Sequence, residues 1–194
     1  MHIVKYPHPT LRHESKPLKR VDAELRKIVD QMRELMYEHR GIGLAANQVD
    51  LPYRLFILNV SGDPEQQELE HVFINPVISR RSGGVVEAEE GCLSLPGIYA
   101  PVRRPAKCVI SAYNMRGDEI TLKLDGLFAR AAQHEYDHLD GTVFIDRLDD
   151  TARAAVGEQV AALEAEFSGQ LQRGAVPDAE QVAQRLSELE ALRT

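Results

Sequence analysis

The sequence predicts an α+β fold, with antiparallel or mixed strands around a central metal-binding helix and a helical C-terminal extension. Three observations lead there. An amphipathic stripe near the start has the period of a helix. Short runs rich in Ile, Val, Leu and Phe recur between residues 53 and 124. The segment His134-Glu135-Tyr136-Asp137-His138, an H-E-x-x-H sequence, falls within a second helical stripe. At 194 residues, 43% hydrophobic and 27% charged, the chain has the size and composition of one soluble domain with a sizeable core.

The first helix spans Asp22 to His39. Leu25, Ile28, Val29, Met32, Leu35 and Met36 share one face, Asp22 caps the start and Gly41 ends it. Tyr53–Val60 and Val72–Ile78 read as strands, separated by a polar loop from Ser61 to Glu70. Glu90 to Leu95 reads as extended and ends in a turn at Pro96-Gly97. Lys107–Tyr113 and Glu119–Leu124 flank a hairpin turn at Asn114–Asp118. Asp125 then caps the helix that carries Leu127, Ala131, His134 and His138 on one face. From Thr151 two further helices carry the stripes Val156, Val160, Leu163, Phe167 and Val182, Leu186, Leu189, Leu192. Gly174–Pro177 separates them and Asp178 caps the second. Residues 1–150 are therefore expected to form a catalytic domain, with 151–194 packed on it and not folding independently. No internal repeat is present.

The formal charge of −7 gives no general drive toward DNA or a membrane, and no run reaches transmembrane length. The start lacks the pattern of a secretory or transit segment. Two cysteines make no disulfide framework, and Cys108 lies in an apolar run that suits burial. A ligand thiolate at Cys92 suits a reducing compartment, which points to the cytoplasm.

Histidines four residues apart on a helix project from one face and can share a metal ion, and the carboxylate between them can take a proton from water there. A catalytic metal usually has three protein ligands. The downstream His of the extended H-E-x-x-H-x-x-G-x-x-H pattern is absent, because Phe144 stands there. Two candidates remain: Glu158 on a later helix, as in zinc metallopeptidases, and Cys92 in Glu90-Gly91-Cys92-Leu93-Ser94. A third constellation is Gly41-Ile42-Gly43-Leu44-Ala45-Ala46-Asn47-Gln48. No strand leads into it, so it is not a dinucleotide fingerprint. Its glycines allow close approach by a bound chain, and Gln48 offers an amide to a developing oxyanion.

Together these segments resemble peptide deformylase, whose signatures G-x-G-x-A-A-x-Q, E-G-C-x-S and H-E-x-D-H fall at Gly41–Gln48, Glu90–Ser94 and His134–His138. The opening Ile3–Arg12 also looks like that family's start, and the resemblance covers roughly residues 1 to 148. It implies a hydrolase that removes the formyl group from N-formylmethionyl nascent polypeptides. One divalent metal per chain would sit on Cys92, His134 and His138: Fe²⁺ in the cell, with Zn²⁺, Ni²⁺ or Co²⁺ also suited to these donors. The resemblance makes Glu135 the proton carrier and gives the oxyanion to the Gln48 amide and the Leu93 backbone N–H. It places the substrate as an added strand between Ile42-Gly43-Leu44 and Glu90-Gly91. Ile42, Leu127 and the stem of Arg130 are candidates for the Met pocket, and Tyr99 for the residues beyond. Gln133 and Asp137 are candidates to orient the ligands, and Arg104 to offset charge near the thiolate. His2, His8, His13, His39 and His71 read as surface or turn residues.

Well-studied relatives end in a basic helix that docks at the ribosome. This tail carries Arg153, Arg173, Arg185 and Arg193 against Glu158, Glu164, Glu166, Asp178, Glu180, Glu188 and Glu190, with no Lys. Ribosome association is therefore expected to be weak.

Overall fold

The computed structural model describes all residues, 1–194. The elements are α1 (Ala23–Glu38), β1 (Gly43–Ala45), β2 (Leu55–Leu58), β3 (His71–Cys92), β4 (Leu95–Tyr113), β5 (Glu119–Asp125), α2 (Gly126–Leu139), α3 (Asp150–Gln172) and α4 (Ala179–Arg193). The strands form one antiparallel sheet in the order β1-β2-β3-β4-β5, which leaves β1 on an edge. No helix is long and apolar enough to cross a membrane.

The α1 stripe packs as its period requires. Leu25, Val29, Met32 and Met36 are buried against Leu44, Leu55 and Ile57, while Ile28 and Leu35 are only partly covered. The Asp22 carboxylate accepts the Leu25 N–H at 2.9 Å. The helix stop differs from expectation. Arg40, not a glycine, takes the left-handed conformation at φ 55°. Gly41 N–H then reaches Met36 O at 2.8 Å and Arg40 N–H reaches Tyr37 O at 3.0 Å, closing a Schellman motif.

A second cluster seats α2 on the sheet. Ala129, Ala131 and Ala132 are small enough to bring the helix close to Phe56, Phe73, Ile110 and Leu124. Asp125 occupies the N-cap position, but its side chain makes no capping hydrogen bond. A third cluster, with Leu11, Leu95, Val102, Phe144, Ile145 and Val156, ties the N-terminal segment and the start of α3 to β4.

The largest departure is the length of β3 and β4, at 22 and 19 residues. The runs at Val72–Ile78 and Lys107–Tyr113 are only their bases. The distal halves hold exposed polar residues, Gly83-Gly84 at positive φ, and Pro101 and Pro105 paired opposite Glu89 and Val85. Such stretches carry little strand signal of their own, and each is held by its partner. The turn between them also lies elsewhere. Cys92 pairs with Leu95, so Leu93-Ser94 makes the reversal and Pro96-Gly97 sits inside β4. Cys92 is thus presented at a strand tip.

In the tail, Asp178 caps α4 as read. Ala152 and Val156 of α3 and Val182 and Leu186 of α4 are buried, but Leu192 is 66% exposed. Arg193 takes its place at 3% exposure, donating to Asp22 and Glu24 at 2.6 Å each. His13 meets Glu190 at 2.7 Å, and Tyr6 donates to Glu164 at 3.1 Å. His8 is buried, not a surface residue, and lies edge-on to Phe167. His71 is half-buried beside Phe73 and Phe128.

Candidate active site

Helix α2 presents His134 and His138 with ring centroids 5.1 Å apart, and the tip of β3 brings Cys92 Sγ to 3.3 Å from His138 Nε2. One donor atom from each of the three residues lies within 4.8 Å of the other two. His134 Nδ1–H donates to Glu90 Oε2 at 2.9 Å, which leaves its Nε2 to face a cation shared with Cys92 and His138. Cys92 Sγ accepts from Ser94 N–H and from Gln48 Nε2, both at 3.4 Å. A thiolate and two neutral imidazoles fit a first-row divalent metal. Glu158 is exposed on α3 and is not in this cluster.

Glu135 lies beside this cluster. Burial pushes its carboxyl up to about 7, against the charges of His134 and Arg104. Its Oε2 is buried without a partner. Its Oε1 occupies the space beside Gly43, where a Cβ would stand only 2.5 Å away. Gln48 sits on a short 3-10 turn, Ala46–Val49, that follows β1. Its Oε1 accepts the Ala45 N–H at 2.8 Å, which orients the amide so that Nε2 points toward Cys92 and Ser94.

Cys92, His134, Glu135 and Gln48 line a cleft of about 590 Å³, and His138 is buried beside them. Its walls include Ile42, Gly43, Gly91, Leu93, Tyr99, Leu127 and Arg130. The edge strand β1 runs along it.

A family model for polypeptide deformylase matches residues 1–154. A peptide deformylase of Rhodopirellula baltica is 43% identical over 192 residues, covering 99% of this chain and 94% of that protein. Peptide deformylase 1B, chloroplastic/mitochondrial, of Arabidopsis thaliana is 40% identical over 183 residues, 94% of this chain and 66% of that protein. A crystal structure of the Plasmodium falciparum peptide deformylase superposes with a TM-score of 0.84 at 38% identity, covering 86% of this chain and 97% of that one. The chain belongs to the peptide deformylase family. Its members are metal-dependent hydrolases that remove the formyl group from the N-terminus of nascent peptides.

Within the deformylase framework several sequence-based roles shift. Leu44 does not line the cleft, because its side chain is buried under α1. The Glu90 carboxylate holds His134. Burial would raise its pKa, but hydrogen bonds from His134 and Arg104 bring it down to about 2. Arg104 grips Glu90 through two hydrogen bonds at 2.6 and 2.9 Å and reaches Asp137 at 2.8 Å, so its hydrogen bonds serve this network. Asp137 is taken up by Arg104 and Arg147, and Gln133 donates to Pro105 O and Ala129 O. Neither side chain hydrogen-bonds to Cys92, His134 or His138. Arg130 spends its guanidinium on Glu90, Val102 O and Val86 O, leaving its stem to the cleft. Gly91 makes room for the Tyr99 ring, which a Cβ would meet at 2.5 Å.

Lys5 lines the cleft without a role assigned from the sequence. Lys5 Nζ donates to Leu93 O at 2.9 Å, holding the turn that follows Cys92. Only the tertiary path of the N-terminal segment brings them together.

Proposed function

We propose that the cleft deformylates N-formylmethionyl nascent polypeptides, with Cys92, His134 and His138 as ligands to one divalent metal, Fe²⁺ in the cell. The observation that carries this reading is the convergence of a cysteine sulfur, two imidazoles and a buried carboxylate beside one cleft. A cation held there supplies Lewis acidity, which makes water a competent nucleophile near neutral pH. Glu135 takes the proton from that water and passes it to the leaving amine. The Gln48 amide and the Leu93 backbone N–H donate to the oxyanion that develops on the formyl oxygen. Glu90, itself held by Arg104 and Arg130, keeps the His134 ring in the tautomer a ligand needs. The edge strand β1 supports substrate binding as an added strand opposite Gly91. Ile42, Leu127 and the Arg130 stem form the Met pocket, and Tyr99 borders the residues beyond.

The direct test is formate release from a formyl-Met peptide, with bound metal measured on the same sample. Formate in proportion to bound metal is expected; cleavage of internal peptide bonds without formate would overturn the reading. Cys92→Ala should lose most of its metal by elemental analysis. Retention of the full complement would remove Cys92 from the ligand set.

Gln48→Ala should lower kcat by about 10²-fold, the usual effect of removing one oxyanion donor, with a smaller change in KM. A change in KM alone would make Gln48 a ground-state binding residue.

In the cell the enzyme is assigned to the bacterial cytoplasm, without DNA as a partner. Residues 151–194 act as a packed extension of the catalytic unit, and their acidic character keeps ribosome affinity weak.

A further inference from the structure

The turn that carries Gln48 is held from a distance. Ala46–Val49 ends at Asp50, which takes a left-handed conformation at φ 67°. A residue with a Cβ adopts that region at a cost, so something must hold it there. On one side the turn is tied to the N-terminal segment. Val4 N–H donates to Gln48 O at 2.8 Å, and the Asn47 side chain binds Ser15 Oγ and His13 O at 2.8 Å each. On the other side lies α4. Arg185 Nη1 donates to Asp50 O at 3.1 Å, and its Nη2 is ion-paired with the Asp50 carboxylate. The same carboxylate accepts from Thr10 Oγ1. Arg185 thus grips both the backbone and the side chain of the one strained residue that closes the turn. Helix α4 is in turn anchored by Arg193 on Asp22 and Glu24 and by Lys19 N–H on Arg193 O. Arg185 lies beyond residue 154, where the family model ends.

We infer that Arg185 is a positioning residue for the hydrolysis: through Asp50 it sets the turn that aims the Gln48 amide, so the C-terminal extension takes part in forming the active site. This rests on the deformylase reading of Gln48. The Gln48 amide is aimed by an internal bond from Ala45, and that bond holds only while the turn keeps its shape. A loosened turn leaves the donor present but misaligned. Misalignment lowers kcat, while KM depends mainly on the cleft walls.

The test compares Arg185→Ala, Arg185→Lys, Asp50→Gly and the double variant Arg185→Ala/Asp50→Gly in the full-length, metal-loaded enzyme. Arg185→Ala should lower kcat by about 10-fold, short of the loss for removing the donor itself, with KM and metal content near the parent's. Glycine adopts positive φ without the steric cost, so Asp50→Gly should make Arg185 dispensable and restore kcat in the double variant. Lysine, which reaches the carboxylate but lacks the fork, should recover part of the rate. Amide hydrogen exchange supplies a readout independent of turnover: Asp50 and Leu51 N–H, which bond back into the turn, should exchange faster in Arg185→Ala while the α1 amides stay unchanged. An Arg185→Ala enzyme within two-fold of the parent, with unchanged exchange, would overturn the proposal. So would a rate loss that Asp50→Gly leaves in place, since general loosening of α4 would then be the cause. A parent that released no formate would count against the deformylase reading, while the exchange data would still decide whether Arg185 holds the turn.

Discussion

Glu135→Gln should bind metal as the parent does and lose about 10²–10⁴-fold in kcat, the range for loss of a general acid–base group. The amide keeps the shape of the side chain, so the packing beside Gly43 and the three ligands is undisturbed. What it lacks is a basic oxygen. The carboxyl sits at about 7 because burial opposes its charge, which suits a group that must both take and return a proton near neutrality. Its Oε2 has no protein partner, so one oxygen is free for water and substrate. The measurement is steady-state formate release alongside elemental analysis. Turnover within a few-fold of the parent at equal metal content would remove Glu135 from the proton path.

Gly43→Ala should be nearly as damaging, about 10²-fold in kcat, the scale at which small displacements of a catalytic group act. The added Cβ would stand 2.5 Å from Glu135 Oε1 and 2.6 Å from Leu58 Cδ2. Leu58 is fully buried and cannot retreat, so the carboxylate must move. The ligands lie elsewhere, and metal content should hold. A rise in KM with kcat intact would mean that Gly43 serves a bound chain and not Glu135. This distinction is invisible in the sequence, where the glycine pair of Gly41-Ile42-Gly43 suggests close approach by a ligand. In the fold, Gly43 accommodates Glu135 and Gly41 accommodates Leu93, whose Cδ1 a Cβ would meet at 2.8 Å.

Local patterns carried far because they report local physics. The α1 stripe, the Asp22 and Asp178 caps and the β5 hairpin each depend on neighbours a few residues away, and each formed where the pattern put it. The spacing of His134 and His138 is a property of one helix. By contrast, the distal halves of β3 and β4 have almost no strand signal, since the exposed polar residues and prolines there are held by cross-strand pairing. Arg104 reads as a charge to offset the Cys92 thiolate, yet it is buried between Glu90 and Asp137. Its environment is built by three separate elements.

The sequence alone determined the chemistry available: an H-E-x-x-H helix, a cysteine in an E-G-C-x-S segment, an amide at the end of G-x-G-x-A-A-x-Q and an acidic tail without lysine. Residue types and short spacings are enough for that, because donor strength and helical periodicity are local. Only the tertiary structure brought Cys92, and not Glu158, beside His134 and His138, made Glu90 the partner of His134, and laid Arg185 on Asp50 across 135 residues of chain. Those contacts join segments far apart in sequence, and such contacts are set by which faces pack together when the chain closes on its core.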